Sequence, residues 1–129
     1  MRHVTVFAAA MLAVAGTAVA SGLDQGVMDD EALKKALTDK TIHLSTPAGH
    51  LPIRFRADGT MSATAGPALA SYVGSAWDRG RWWVTANQMC QRWNTWLGGR
   101  SYCFKLRQHG RIVHWIRNDG LTGVATITR

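Results

Sequence analysis

The residue types that could carry chemistry are few in this chain, and they are dispersed. Its only two cysteines are Cys90 and Cys103, whereas a catalytic dithiol is typically a Cys-x-x-Cys pair at a helix start. An even pair of cysteines in a small domain of an oxidising compartment most simply forms a disulfide. The chain-entropy model gives roughly 3 kcal/mol of stabilisation for a loop of about a dozen residues. We therefore predict a structural disulfide between Cys90 and Cys103.

The other reactive side chains form no recognisable constellation. Asp58, Asp78 and Asp119 each stand where a turn or a loop is expected, and two of them directly precede a Gly. The histidines show no recognised metal-ligand spacing. No Gly-x-Ser-x-Gly or His-Glu-x-x-His motif occurs. We therefore predict a protein that is not an enzyme, with no catalytic residue, no cofactor and no metal ion.

The first 20 residues have the pattern of an export signal. A short basic start is followed by an apolar run over residues 4–15, and Ala18-Val19-Ala20 is a cleavage site of the A-x-A type. No later apolar run approaches the roughly 20 residues of a membrane helix. We predict a periplasmic or secreted protein with a signal peptide at 1–20, a leader and N-terminal helix at 21–40, and one β-barrel-like domain at 41–129. The mature chain is expected to have no transmembrane segment.

The charge of the chain is strongly positive and uneven. Its 129 residues carry a formal net charge of +7, and from Arg54 onward ten Arg and one Lys stand against three Asp. A basic surface attracts anions without choosing among them. Because export makes nucleic acid an unsuitable partner, the expected partners are anionic polysaccharide, lipid headgroups or an envelope protein. The alternative is that outward Arg side chains only keep the protein soluble.

The sequence pattern changes from helical to alternating near residue 40. Residues 28–40 have apolar positions at helical spacing, and Asp29 or Asp30 can cap the helix. Short alternating runs separated by turn residues follow, which predicts an antiparallel meander of about eight strands. Closure into a small barrel, lipocalin-like or compact, removes both sheet edges, and a two-sheet β-sandwich is the alternative. The predicted strands are 41–45, 51–57, 60–65, 81–85, 88–93, 101–107, 111–117 and 121–128.

The alternation also assigns side chains to the two faces of each strand. Bulky residues such as Phe55, Trp82 and Phe104 are predicted inside, as are Ile112 and Ile116. Outward Trp and Arg side chains suit stacking on sugars or contact with a lipid interface. They define the candidate binding surface, which consists of Arg81, Trp83, Arg107, Arg111, Trp115 and Arg117. The alternatives are that the outer Trp residues pack under the helix, or that the assignment is off by one residue, which would exchange the faces.

Several short motifs follow one another in a recognisable order. Phe55-Arg56-Ala57-Asp58-Gly59-Thr60 precedes Gly80-Arg81-Trp82, and Cys90-Gln91-Arg92-Trp93 precedes Cys103-Phe104 and Asn118-Asp119-Gly120. This order resembles that of a family of small secreted or periplasmic bacterial β-rich proteins of unknown function, with the pattern F-x-x-D-G-T, G-x-W, C-x-x-W, C and D-G. The resemblance spans residues 41–128. It implies a compact β-barrel-like domain with a structural disulfide, and it brings no catalytic residues.

Two functions follow from these observations. The first is an exported, non-enzymatic binding domain that engages an anionic envelope component or a protein through the candidate binding surface. The alternative is a carrier of a small apolar ligand inside the barrel, although the bulky inward residues are expected to fill a barrel of this size. Inhibition of a foreign hydrolase is a third possibility, which the cationic surface does not favour. The sequence makes no prediction of oligomeric state.

Overall fold

The protein is described by a computed structural model that covers residues 25–129. The predicted signal peptide lies outside the described residues. Two α-helices, α1 (Asp30–Leu37) and α2 (Pro67–Val73), and a short 3₁₀ helix (Trp96–Gly99) accompany the strands. The strands are β1 (Thr41–Thr46), β2 (Gly49–Phe55), β3 (Thr60–Thr64), β4 (Trp77–Thr85), β5 (Gln88–Trp93), β6 (Ser101–His109), β7 (Ile112–Arg117) and β8 (Thr122–Thr128).

The eight strands form one closed antiparallel barrel in sequence order. Each strand pairs with the next, and β8 pairs with β1, with Ile42 opposite Ile127. This confirms the predicted mainly β fold with an early helix, and it excludes the sandwich alternative. Helix α2 is not among the elements that the sequence predicts. That helix has Pro67 at its start and Gly74 in the left-handed conformation at its end, at φ +94°, which are favourable residues for those positions.

Local turn chemistry explains where the strands end. At the predicted Asp58-Gly59 turn, Asp58 Oδ1 accepts hydrogen bonds from the backbone N and the hydroxyl of Thr60, at 2.9 and 2.7 Å. Gly59 has a φ of +85°, which glycine adopts without the steric cost of a side chain. The chain therefore reverses between Phe55 and Thr60, as the sequence predicts.

Helix α1 closes one end of the barrel. Asp29 is its N-cap and accepts a 2.8 Å hydrogen bond from Ala32 N, so one of the two predicted caps is confirmed. The apolar side chains of Leu33 and Leu37 are 0% exposed. Asp30 and Asn87 exchange two hydrogen bonds, which tie the helix to the β4–β5 turn. We call this the closed end; it also contains the β2–β3 and β6–β7 turns.

The opposite end of the barrel carries the larger connections, and we call it the mouth. In an antiparallel meander alternate connections lie at the same end, so the β1–β2 turn, α2, the 3₁₀ helix and the β7–β8 turn all surround the mouth. Both segments that interrupt the meander with helical structure are therefore at this end.

The predicted disulfide is confirmed. Cys90 and Cys103 are bonded and lie directly opposite each other on β5 and β6. Cys90 alternates with Met89 and Gln91, which line the barrel interior, so the disulfide lies on the outer side of the wall. It is a cross-strand link on the outer face of the wall, as the alternation indicates, although Cys90 itself is 0% exposed.

On β7, however, the predicted assignment of faces is wrong. Val113 is 1% exposed, whereas Ile112 is 47% exposed. Val113, Trp115 and Arg117 therefore face the interior, and Ile112 and Ile116 face outward. The strand is apolar at neighbouring positions, so its own pattern does not distinguish the faces. The faces are decided by register, which pairs Trp115 with the inward Leu106 of β6.

Replacement of Cys90 and Cys103 by Ser should lower the free energy of unfolding by about 3 kcal/mol, because the unfolded chain loses the restraint of the closed loop. Urea unfolding followed by tryptophan fluorescence measures this difference. Chemical reduction of the unmodified protein is the matched control and should give the same loss. An unchanged unfolding midpoint in both experiments would contradict a stabilising disulfide.

Candidate functional site

A cavity of about 480 Å³ lies inside the barrel and is open to solvent; its volume is within the range of small-molecule binding sites. Its walls are almost entirely apolar side chains. The expectation that bulky residues fill the interior is therefore wrong. The large rings pack against one another along the wall, as in the pairs Phe104–Trp115, at 5.4 Å between centroids, and Trp93–Trp96, at 4.8 Å.

Small residues on β8 make room for a ring of the neighbouring strand. Gly123 and Ala125 both line the cavity. A Cβ atom at Gly123 would overlap the indole of Trp115, the residue opposite it on β7. The absence of a side chain at Gly123 thus lets the Trp115 ring lie flat over β8.

The cavity reaches the mouth and not the closed end. Each of the four connections at the mouth contributes to its lining, through residues such as Pro47, Leu69, Leu97 and Leu121. No residue of α1 or of the closed-end turns among residues 25–129 lines it. Access for a ligand is therefore through the mouth.

Helix α2 partly covers this opening. Leu69 and Val73 line the cavity, but none of the residues of the helix is buried. Tyr72 is 84% exposed on its outer side. Gly66 and Gly74 flank the helix and provide no side-chain contacts. α2 is thus held by a small apolar contact, which makes it the least buried wall of the site.

Asp78 anchors the 3₁₀ helix at the mouth. It is 4% exposed on β4, and its Oδ2 accepts hydrogen bonds from the backbone N of Thr95 and of Trp96, both at 2.9 Å. Burial raises the pKa of Asp78, but the combined N–H donors of Trp96, Thr95 and Arg79 outweigh it and hold the pKa below its usual 3.8. Asp78, which the sequence predicts in a turn or loop, is therefore a buried strand residue. It positions the part of the cavity wall that the 3₁₀ helix forms.

Two polar groups in the apolar wall have no partner within the described chain. Gln91 is 7% exposed and lines the cavity, and no group among residues 25–129 hydrogen-bonds to its amide. Trp115 lines the cavity as well, and its indole N–H is buried with no hydrogen-bond acceptor in the same part of the chain. Sequence reasoning missed Gln91, although a polar residue between the inward Met89 and Trp93 was an available signal.

Arg117 is the charged side chain of the lining. Its Nε and Nη2 donate to the two carboxylate oxygens of Asp119, at 2.8 and 2.7 Å. These bonds raise the pKa of Arg117 above its usual range and hold the pKa of Asp119 at about 2. The guanidinium also lies 4.2 Å above the ring of Tyr102. It is thus held in one position at the mouth end of β7.

The structure does not bring the residues of the candidate binding surface together. Four of its residues lie outside the cavity, on two separated strands and in a turn: Arg81, Trp83, Arg107 and Arg111. Trp115 and Arg117 were predicted to face outward, and this is wrong because the register of β7 turns both into the cavity. Arg107 is in addition engaged by the leader, since its Nε donates to the carbonyl oxygen of Gln25 at 2.9 Å.

Comparison of the chain with protein-family models, with curated proteins and with solved structures gave no match. The class is therefore defined by architecture alone: a closed, eight-stranded antiparallel barrel with an apolar cavity that opens at one end. Within residues 25–129, no helix has the length and apolar character to cross a membrane. The resemblance to small secreted bacterial β-rich proteins stays a prediction.

Replacement of Asp78 by Asn should lower the free energy of unfolding by about 2 kcal/mol at neutral pH, because hydrogen bonds to a charged group are stronger than neutral ones. The lowered pKa means that this contribution is complete above about 3.8 and is lost as the pH falls through the folded-state pKa. The difference between the two proteins should therefore shrink under acid. Urea unfolding at several pH values measures it. Glu31→Gln is the control, since Glu31 is exposed and its carboxylate has no hydrogen bond among residues 25–129; a pH-independent difference for Asp78→Asn would contradict the assignment.

Proposed function

We propose that this protein is an exported binder of a small apolar molecule, which it holds inside the barrel without transforming it. The observation that carries this proposal is the apolar cavity of about 480 Å³ that opens at the mouth. Apolar cavities of this kind take up apolar ligands because they are poorly hydrated when empty. Of the two functions that the sequence suggests, the geometry therefore favours the internal carrier over the outer binding surface.

The chemistry of the lining supports binding rather than catalysis. The described residues around the cavity include Ser45, Thr46, Gln91 and Arg117, but no acid, histidine or cysteine. General acid–base and nucleophilic catalysis rely mainly on those residue types. A carrier that does not catalyse a reaction is thus the simpler proposal.

The location we propose is the periplasm or the extracellular space. The Cys90–Cys103 disulfide is of a kind that persists in oxidising compartments, and the sequence of residues 1–20 has the pattern of an export signal. A carrier in such a compartment would protect an apolar molecule from water between two membranes or outside the cell.

Diphenylhexatriene, a hydrocarbon fluorophore, should bind to the protein and gain fluorescence as it leaves water. Ala125 lines the cavity and is 2% exposed, so Ala125→Phe should fill the space and weaken binding at least about tenfold, through loss of apolar contact area. Val124→Phe adds the same ring to the outer face of β8 and is the matched control. Fluorescence titration measures all three proteins.

Two results would contradict the carrier proposal. Either no saturable binding of diphenylhexatriene, or equal binding by the Ala125→Phe variant and the unmodified protein, would show that the cavity is not the binding site. Because a bound ligand stabilises the folded state by mass action, a rise in the melting temperature with added fluorophore gives an independent readout.

A second candidate function is supported by one feature of the outer face. Arg81 on β4 lies directly opposite Arg92 on β5, and both are exposed with no ion-pair partner among residues 25–129. Like charges opposite each other destabilise a sheet, which favours a functional reason for the pair. Trp83, 39% exposed, lies on the same face. We propose that this face contacts an anionic envelope component, such as lipid headgroups or polysaccharide.

The double substitution Arg81→Gln and Arg92→Gln should weaken binding to phosphatidylglycerol vesicles several-fold at low salt. The double substitution Arg100→Gln and Arg129→Gln removes the same charge elsewhere and should have a smaller effect. Vesicle co-sedimentation at increasing salt measures both, because contacts between exposed charges are screened. Equal binding to phosphatidylcholine vesicles would rule out this second function.

A further inference from the structure

The unpartnered polar groups of the cavity lie on one wall. Gln91 on β5 is directly opposite Tyr102 on β6, and the guanidinium of Arg117 on β7 stacks on that same Tyr102 ring, at 4.2 Å. Trp115 is two residues deeper on β7 and faces the same interior. Three adjacent strands thus bring an amide, an indole N–H and a guanidinium to one side of an otherwise apolar space.

This arrangement is unfavourable for the protein alone. A buried polar group without a hydrogen bond destabilises the folded state, whereas an apolar residue of similar shape at that place is neutral or stabilising. The Trp115 N–H is buried without an acceptor among residues 25–129. The Gln91 amide has no hydrogen-bond partner in the same residues and, unlike the Trp115 N–H, it is accessible from the cavity. Its place in the lining points to a bound molecule as its partner.

The hydrogen-bonding inventory shows which chemical group that partner carries. Arg117 is only a donor, and the Gln91 amide supplies two N–H donors beside its one carbonyl acceptor. Asp119 occupies Nε and Nη2 of Arg117, which leaves Nη1 without a protein acceptor in the described chain. Donors therefore outnumber acceptors at this wall, and Arg117 keeps a donor available although Asp119 balances its charge.

We infer that the ligand is an amphiphile with a carboxylate at one end, bound by Gln91 and Arg117 while its apolar body fills the rest of the barrel. This inference rests on the proposed carrier function. Arg117 is the last residue of β7, next to the β7–β8 turn at the mouth. The carboxylate therefore lies toward the mouth, and the apolar body points to the closed end, against side chains such as Ile53 and Val113.

Competition between probes of equal chain length tests this inference. Dodecanoic acid and dodecanol are titrated against bound diphenylhexatriene at neutral pH, where the acid is ionised. The acid should compete at concentrations at least about tenfold lower than the alcohol, since hydrogen bonds to a charged group are the stronger ones. Equal competition would overturn the carboxylate assignment and leave the carrier function standing. No binding of diphenylhexatriene at all would instead overturn both.

Two variants test whether the preference for the acid over the alcohol depends on residues of the cavity. Gln91→Leu and Arg117→Met should each reduce the ratio of acid to alcohol affinity by about tenfold. Gln91→Leu should also raise the melting temperature, because it replaces an amide without a hydrogen-bond partner by an apolar side chain in an apolar wall; a purely structural role for Gln91 predicts the opposite. Arg79→Met, which removes a positive charge from the outer face of β4, is the control and should leave the ratio unchanged. A ratio that is unchanged in Gln91→Leu and Arg117→Met, or reduced equally by Arg79→Met, would overturn the inference.

Discussion

Pairing between β1 and β8 is the constraint on which the rest of this structure depends. It joins the first and last strands of the meander, with Ile42 opposite Ile127 and Leu44 opposite Ala125, so no strand edge is left unpaired. Closure also gives the sheet an inside, which is where the apolar face of every strand is buried. Without it, Gln91 and Arg117 would line an open sheet, and no enclosed site would exist.

The cavity exists because the volume of the inward side chains is distributed unevenly around the barrel wall. Aromatic rings pack in pairs along the wall, Trp93 with Trp96 and Phe104 with Trp115, and the Trp115 ring lies against Gly123 of β8. An empty apolar cavity of this size costs stability, as does a buried N–H without an acceptor, such as that of Trp115. Two such costs in one small domain are the physical basis for the proposal that the cavity binds a ligand.

Much of the fold could be predicted because its signals are local. The alternation of apolar and polar residues, the Asp58-Gly59 turn and the Asp29 cap each act within a few residues, and all three are found in the structure. The faces of β7 could not be predicted in this way. Ile112 and Val113, like Trp115 and Ile116, place apolar side chains on both faces, so the strand fits either orientation until its neighbours choose one. The candidate site was misjudged for this reason, with Trp115 and Arg117 assigned to the outer surface.

The sequence by itself determined the number of strands, the turns between them and the pairing of its two cysteines, because each of these follows from residues that are neighbours in the chain or have no alternative partner. Only the tertiary structure decided that β7 turns Trp115 and Arg117 inward and that the barrel is hollow. Both depend on how side chains from different strands meet. The free volume at the centre of a barrel is set by the side chains of all eight strands together. It therefore cannot be predicted from any single stretch of sequence.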